Sequence, residues 1–306
     1  MKPKILINYT DFWQGFNVAD NYFQHLLSQQ YDLVLSEKPD ILIYSVFGKE
    51  HLKYKCKRIL FSGENIGANF TECDYAFTGD HNPDPRHYRL PFYAFCYPPE
   101  RFVKPETDVK QCSEAKEKFC CFVVSNPHGK IRNQFFAHLS RYKKIDSGGK
   151  FLNSIGYRVP DKESFIANYK FCMAFENRSY PGYTTEKLVE PMFMNTIPIY
   201  WGNPLVHLDF NPEAFLNYHS FGSSDSFIKR IIEVDNNPEL YMSYLQAPWC
   251  YGNRLKDAFQ PEKVLARFIY IIETPITPVA QKPKTLSHYI NNNLFRLKKN
   301  IRRGYI

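Results

Sequence analysis

The stretch Phe171-Cys-Met-Ala-Phe-Glu-Asn-Arg-Ser-Tyr-Pro-Gly-Tyr-Thr-Thr-Glu-Lys187 joins three kinds of local structure in seventeen residues. Five apolar residues, Phe171–Phe175, read as a fully buried strand, because a parallel strand covered on both faces carries no polar alternation. A polar Pro/Gly loop follows, and a helical pattern starts near Thr184. In open α/β sheets, nucleotides bind where the carboxyl end of a strand meets the N-terminus of the next helix. Thr184 is placed to cap that helix. Glu186 can accept from ribose hydroxyls, Lys187 can pair with phosphate, and Tyr183 can pack beside a diphosphate or base. The same residues also read as ordinary helix-start residues with a solvated lysine, and spacing alone does not choose between the two.

Working outward, short β-rich runs alternate with helical patterns along most of the 306 residues. Lys4–Ile7, Leu33–Leu35, Ile41–Tyr44 and Ile59–Phe61 read as strands of one parallel sheet, with a helix over Val18–Gln29. Cys120–Val124, Phe171–Phe175 and Ile197–Trp201 read as strands of a second, with helices over Ile131–Tyr142, Glu186–Met194, Asp225–Glu233, Pro238–Leu245 and Glu262–Glu273. Alternating βα units favour parallel sheets covered on both faces. The expected architecture is α/β, with two Rossmann-like domains facing a cleft: residues 1–115, residues 116–275, and a basic amphipathic tail over 276–306.

Charge supports that partition. The net charge is +8, from 39 Lys and Arg against 31 Asp and Glu. The segment from Gln281 onward holds Lys282, Lys284, Arg296, Lys298, Lys299, Arg302 and Arg303 and no acid. Taking those seven away leaves 32 basic residues against 31 acidic ones. A nearly neutral body argues against a nucleic-acid-binding domain, whose basic surface lies on the fold itself. In the tail, Ile290, Leu294, Leu297 and Ile301 fall on one helical stripe flanked by cations, which suits a helix lying on an anionic membrane surface. The N-terminus lacks the pattern of a secretory signal, and no run of 18 apolar residues spans a bilayer. The expected location is cytoplasmic, peripheral on the inner membrane. Eight cysteines occur without a CxxC pair, which favours buried reduced thiols over zinc. GxGxxG, GxxxxGK[ST] and Asp-x-Asp are all absent. A bound diphosphate would therefore be neutralised by Arg, Lys and helix amides rather than by a metal held on an acidic pair.

The run FENRSYPGYTTEKLVEPMFMNTIPIYWGNP at 175–204 resembles the donor-binding signature of the α-1,3/4-fucosyltransferases, glycosyltransferase family ten, in its Helicobacter-type bacterial branch. FSGENIGANF at 61–70 and VVSNPHGKIRNQFF at 123–136 agree with that family in order and spacing. The resemblance extends from about Lys4 to Glu273 and implies a GT-B type fold. It implies that Arg132 contacts the phosphates of GDP, that Asn177 lies at the donor site, and that Tyr183, Glu186 and Lys187 form the Tyr-x-x-Glu-Lys set, with Glu186 on the ribose and Lys187 on phosphate. Glu64 matches the carboxylate assigned as general base. Two features depart from the pattern: Arg178 stands where many members carry a small residue, and the long heptad repeats of some members are missing.

The implied activity is inverting transfer of L-fucose from GDP-β-L-fucose to O3 of GlcNAc in an N-acetyllactosamine-type acceptor, as in Lewis-antigen or lipopolysaccharide O-antigen synthesis. An α-1,4 or dual linkage, or another nucleotide sugar on the same fold, stays open at this point. No metal or cofactor is required by this reading, and stimulation by a divalent metal stays open.

Overall fold

The structure is a computed structural model that describes residues 1–303, apart from the side chains of His288, Lys299 and residues 301–303. The chain folds as two compact α/β units. One comprises Met1–Phe95 together with Asp257–Ile306, and the other Cys96–Lys256.

The first unit holds a six-stranded parallel sheet in the order β2-β1-β3-β4-β5-β6. Its strands are β1 (Lys4–Thr10), β2 (Asp32–Leu35), β3 (Ile41–Tyr44), β4 (Lys57–Ser62), β5 (Tyr75–Thr78) and β6 (His87–Arg89). Every residue of β3 and β5 is buried, the continuous apolar signature of strands covered on both faces. Aromatic rings fill one side: Phe12 stacks on Phe16 at 3.9 Å and Phe77 on Phe268 at 4.2 Å between centroids.

The second unit holds a five-stranded parallel sheet in the order β11-β10-β9-β7-β8. Its strands are β7 (Lys118–Phe122), β8 (Ile145–Ser147), β9 (Tyr169–Phe175), β10 (Ile197–Trp201) and β11 (Leu216–Asn217). Read from the β8 edge, this is the same doubly wound order as the first sheet. Each sheet reverses direction beside its first strand, between β1 and β3 in one unit and between β7 and β9 in the other. Such a reversal opens a crevice at the carboxyl ends of the two strands.

The division by packing differs from the expected 1–115 and 116–275 at both edges. Residues from Cys96 onward belong to the second unit. Lys104 exchanges backbone hydrogen bonds with the Asn253 amide at 2.8 and 2.9 Å, and its ammonium donates to the carbonyls of Leu245 and Ala247 at the end of the Pro238–Gln246 helix. The Pro261–Glu273 helix returns to the first unit. Phe268 packs on Phe77 and Phe23, and the Lys57 ammonium caps that helix's C-terminus by donating to the carbonyls of Ile271, Ile272 and Thr274. A cation satisfying the orphan carbonyls also faces the negative end of the helix dipole.

The tail forms the Leu286–Arg303 helix. Leu286, Ile290, Leu294 and Leu297 are each about half exposed or more. The side chains of Ile301 of the expected stripe, and of the cations Lys299, Arg302 and Arg303, lie outside what is described. No described helix is long and apolar enough to cross a membrane.

Candidate functional site

The crevice of the second unit is built by three loops. The segment after β7 leads to the Lys130–Leu139 helix, the segment after β9 leads to the Glu186–Phe193 helix, and β10 ends in Trp201-Gly-Asn203.

Arg132, in the first turn of the Lys130–Leu139 helix, is fully buried. One guanidinium nitrogen, Nη1, donates to Asn177 Oδ1 at 2.7 Å, and Nη2 donates to the carbonyl of Asn126. Its Nε is buried with no hydrogen-bond partner among the described residues. A β-carbon at Gly129 would lie 2.9 Å from the guanidinium, so the loop passes close over it. Burial pulls the pKa of Arg132 down while Glu176 opposes that shift, and an arginine so far above neutrality stays charged. An orphaned buried N–H on a fixed cation is costly to leave unmade and suits an anionic ligand oxygen.

Glu176, the residue directly after β9, is completely buried. It accepts from the Thr185 amide at 2.7 Å and from the Thr185 hydroxyl at 2.8–2.9 Å, and it lies 3.3 Å from the Lys187 ammonium. A β-carbon at residue 202 would approach Glu176 Cγ to 2.4 Å, so Gly202 makes room for this carboxylate. Lys187 Nζ also meets Thr185 Oγ1 and Glu186 Oε1, each at 3.0 Å. An ammonium has three donors, and these three acceptors match that number. Burial works against the charge of Lys187, but the two carboxylates outweigh it and push its pKa up. At Glu186 burial likewise opposes ionisation, while Lys187 and Lys162 hold the carboxyl below its usual range.

The helix cap is Thr185, whose hydroxyl accepts from the Lys187 amide, rather than the expected Thr184. Thr184 is buried and accepts from Asn203 Nδ2 at 3.1 Å. Asn203, also fully buried, accepts from the Gly182 amide at 2.8 Å, where Gly182 takes a φ of +85° that suits glycine. Tyr183 is buried beside this anchor, and its carbonyl accepts from the Tyr200 hydroxyl at 3.5 Å.

The structure thus gathers Arg132, Asn177, Glu186 and Lys187 at the carboxyl ends of β7 and β9, with Tyr183 in the connecting loop. Glu176 and Asn203 hold them in place, and sequence reasoning had passed over both. The signal available was an acid ending an otherwise apolar strand, and an asparagine following a glycine after another. Chemically, the arrangement offers an orphaned guanidinium N–H and an ammonium set between two acids.

Glu64 belongs to the first unit, in the loop after β4, and its side chain is exposed. The loop is tied down locally: the Glu64 amide donates to Ser62 Oγ at 3.2 Å and its carbonyl accepts from the Ile66 amide at 2.7 Å. A side chain at Gly63 would strike Phe92. The crevice of this unit, between β1 and β3, is filled from within. Asp11, at φ +58°, accepts from the amides of Glu50 and His51 at 2.9 Å each and from His51 Nδ1 at 2.6 Å. A carboxylate of the chain therefore occupies the place that holds a ligand in other doubly wound sheets.

The chain is similar in sequence and fold to several known proteins. Residues 7–96 match the profile of the alpha-(1,3)-fucosyltransferase FucT N-terminal domain, and residues 113–267 match that of glycosyltransferase family 10 (fucosyltransferase), C-terminal part. The alpha-(1,3)-fucosyltransferase FucT of Helicobacter pylori is 30% identical over 285 residues, covering 79% of this chain and 60% of that protein. This chain therefore spans about 60% of that relative's length. The mouse 4-galactosyl-N-acetylglucosaminide 3-alpha-L-fucosyltransferase 9 is 31% identical over 42% of this chain and 37% of its own. A crystal structure of an alpha1,3-fucosyltransferase with GDP-fucose superposes with a TM-score of 0.76 at 28% identity, covering 91% of this chain and 93% of that one. The Anabaena protein HepE with UDP and glucose shares the fold alone, with a TM-score of 0.55 at 8% identity over 87% of this chain and 98% of its own.

Proposed function

This chain belongs to glycosyltransferase family 10, the fucosyltransferases, and we propose that it transfers L-fucose from GDP-β-L-fucose, with inversion, to O3 of GlcNAc in a lactosamine-type acceptor. The observation that carries this reading is the constellation at the carboxyl ends of β7 and β9. There a buried guanidinium with a free Nε–H and an ammonium between two carboxylates lie at a crevice suited to a nucleotide diphosphate.

The chemistry follows from charge. As the acceptor oxygen bonds to the anomeric carbon, Glu64 takes its proton. The bond from that carbon to the diphosphate oxygen breaks, and the electron pair leaves with GDP. Arg132 Nε and Lys187, which can exchange its Thr185 contact for a phosphate oxygen, stabilise the charge growing on the leaving group. The sugar passes through an oxocarbenium-like state, as in glycoside cleavage. Glu186 takes the ribose hydroxyls, and Tyr183 and Asn177 shape the remainder of the donor pocket. No step in this scheme needs a metal.

We also place the tail helix on an anionic membrane surface, at the cytoplasmic face. Its half-exposed Ile290, Leu294 and Leu297 support that placement, with Arg296 and Lys298 beside them.

The test is Glu64→Gln. Transfer to N-acetyllactosamine falls at least about 100-fold, the lower range for loss of a general base, while calorimetric GDP affinity is unchanged. Transfer at the unaltered rate removes Glu64 from the mechanism. Product linkage, with GDP-mannose and UDP-sugars run in parallel, decides between the 1,3 reading and another linkage or donor.

A further inference from the structure

A cavity of ≈ 480 Å³ lies in the first unit, walled by the loop after β4, the loop after β5 and the tail helix. This volume falls in the range of small-molecule sites, about 300–1,000 Å³. Residues 66–71 form one wall, Asp80, Asn82 and Arg86 a second, and Asn291, Leu294, Phe295 and Lys298 the third. The tail helix is held against the body by Asn69 Nδ2, which donates to Asn292 Oδ1 at 3.1 Å. Asn291, Phe295 and Lys298 stand at i, i+4 and i+7, one stripe of the helix. Leu294 lies at the edge of that wall, while Ile290 and Leu297 are outside it and half exposed, so the helix serves the cavity with one face and keeps the Ile290 and Leu297 side exposed.

The lining selects a ligand class. Three asparagine amides, the Thr71 hydroxyl, a carboxylate and two cations suit the paired hydroxyls of a pyranose, and Phe295 offers an apolar ring for its C–H surface. A phosphate is less well suited, because the Asp80 carboxylate lines the same cavity and Lys298 is its one lining cation without an acid partner among the described residues. The Arg86 fork is engaged with Asp84, Nε to Oδ1 at 3.0 Å and Nη2 to Oδ2 at 2.7 Å, and its guanidinium lies over Phe70 at 4.1 Å. Position matters as well. The wall begins at Ile66, two residues beyond Glu64, so by chain length Gly67 is at most about 11 Å from the carboxylate's own residue.

We infer that this cavity is a second carbohydrate subsite, which binds further sugar units of the same neutral acceptor chain beyond the unit that receives the fucose. The inference rests on the reading of Glu64 as the base at the acceptor hydroxyl. The tail helix then has two roles: one stripe faces the surrounding surface and the adjacent one completes an oligosaccharide site.

The 306-residue chain, with Asn82→Ala and Phe295→Ala as separate variants, is assayed on the N-acetyllactosamine disaccharide and on a linear hexasaccharide of three such units. The unaltered protein uses the hexasaccharide with kcat/KM about tenfold higher, mainly through KM, equivalent to about 1.4 kcal/mol. Each variant loses most of that advantage while its disaccharide rate stays unchanged, and Phe295→Ala, which breaks no hydrogen bond, also keeps its melting temperature. Equal kcat/KM for the two acceptors in the unaltered protein, or variants that keep the preference, overturns the inference. Saturation-transfer NMR of the hexasaccharide without donor reads the cavity independently of catalysis. If the protein transfers no fucose to either acceptor, the proposed function fails. In that case hexasaccharide binding that is lost in both variants still supports the cavity, and binding that persists in them overturns it.

Discussion

Lys187→Met tests whether the ammonium between Glu176 and Glu186 is a structural charge of the second unit's crevice. The substitution keeps most of the side-chain volume and removes the positive charge, stranding the Glu176 carboxylate with no exposure to water. Breaking a buried ion pair on one side costs about 3–5 kcal/mol. Glu176 keeps its hydrogen bonds from the Thr185 amide and hydroxyl, which places the expectation near the lower end, about 3 kcal/mol. At about 2–4 °C per kcal/mol for a unit of this size, the melting temperature drops by about 6–12 °C. Glu176→Gln is milder, because Lys187 retains Glu186 at 3.0 Å; about 1–2 kcal/mol is expected, the cost of an unmade hydrogen bond to a charged group. The double variant loses less than the sum of the two, with a coupling of about 1–3 kcal/mol. Circular dichroism melts of the four proteins, with GDP titrations by calorimetry, supply the cycle. Lys187→Met within 1 °C of the unaltered protein, about the error of such a melt, or strictly additive losses, would refute the buried-pair argument.

Arg132→Lys keeps the charge but loses the planar fork that spans Asn177 and Asn126; GDP affinity should fall at least about tenfold, and calorimetry at the unaltered value contradicts the phosphate role. His87, hydrogen-bonded to Thr78 Oγ1 at 2.8 Å, is pushed down by burial to about 4. It stays neutral when folded, while the unfolded chain binds its proton below about 6.5. Stability is therefore lost as pH falls from about 6.5 toward 4, by up to about 3 kcal/mol. His87→Gln should flatten that limb of the urea-midpoint profile, and an unchanged slope refutes the assignment. His51 works in the opposite sense: burial opposes its charge but Asp11 and Glu72 raise its pKa, so its contribution is present in acid and lost as pH rises through the raised value. Removing residues after Lys282 should abolish co-sedimentation with anionic liposomes; equal binding of the shortened chain rules out the tail as the anchor.

Much of the fold was legible because burial on both faces of a parallel strand demands continuous apolar runs. Ile41–Tyr44 and Phe171–Phe175 carry that demand in their composition. Of the site, the charges Arg132, Glu186 and Lys187 were visible, but spacing read them equally as ordinary helix-start residues, and only the resemblance to family ten grouped them. Glu176 escaped notice because an acid after a strand is ordinary until its surroundings are known. Its role depends on Gly202 leaving space and on Thr185 turning back, and both arise from contacts between elements remote in sequence.

By itself, then, the amino-acid order determined the two parallel sheets, the neutral body with a cationic amphipathic tail, and the acid and lysine that follow an apolar strand at Glu186 and Lys187. Local periodicity, charge and residue chemistry are properties of neighbouring positions, so they survive without coordinates. Tertiary packing alone decided that the Pro261–Glu273 helix returns to the first sheet, that Thr185 rather than Thr184 caps the Glu186–Phe193 helix, and that Asp11 accepts from the Glu50 and His51 amides beside the first crevice. Those outcomes depend on which distant groups satisfy buried donors and carbonyls, and no pattern along the chain encodes that pairing.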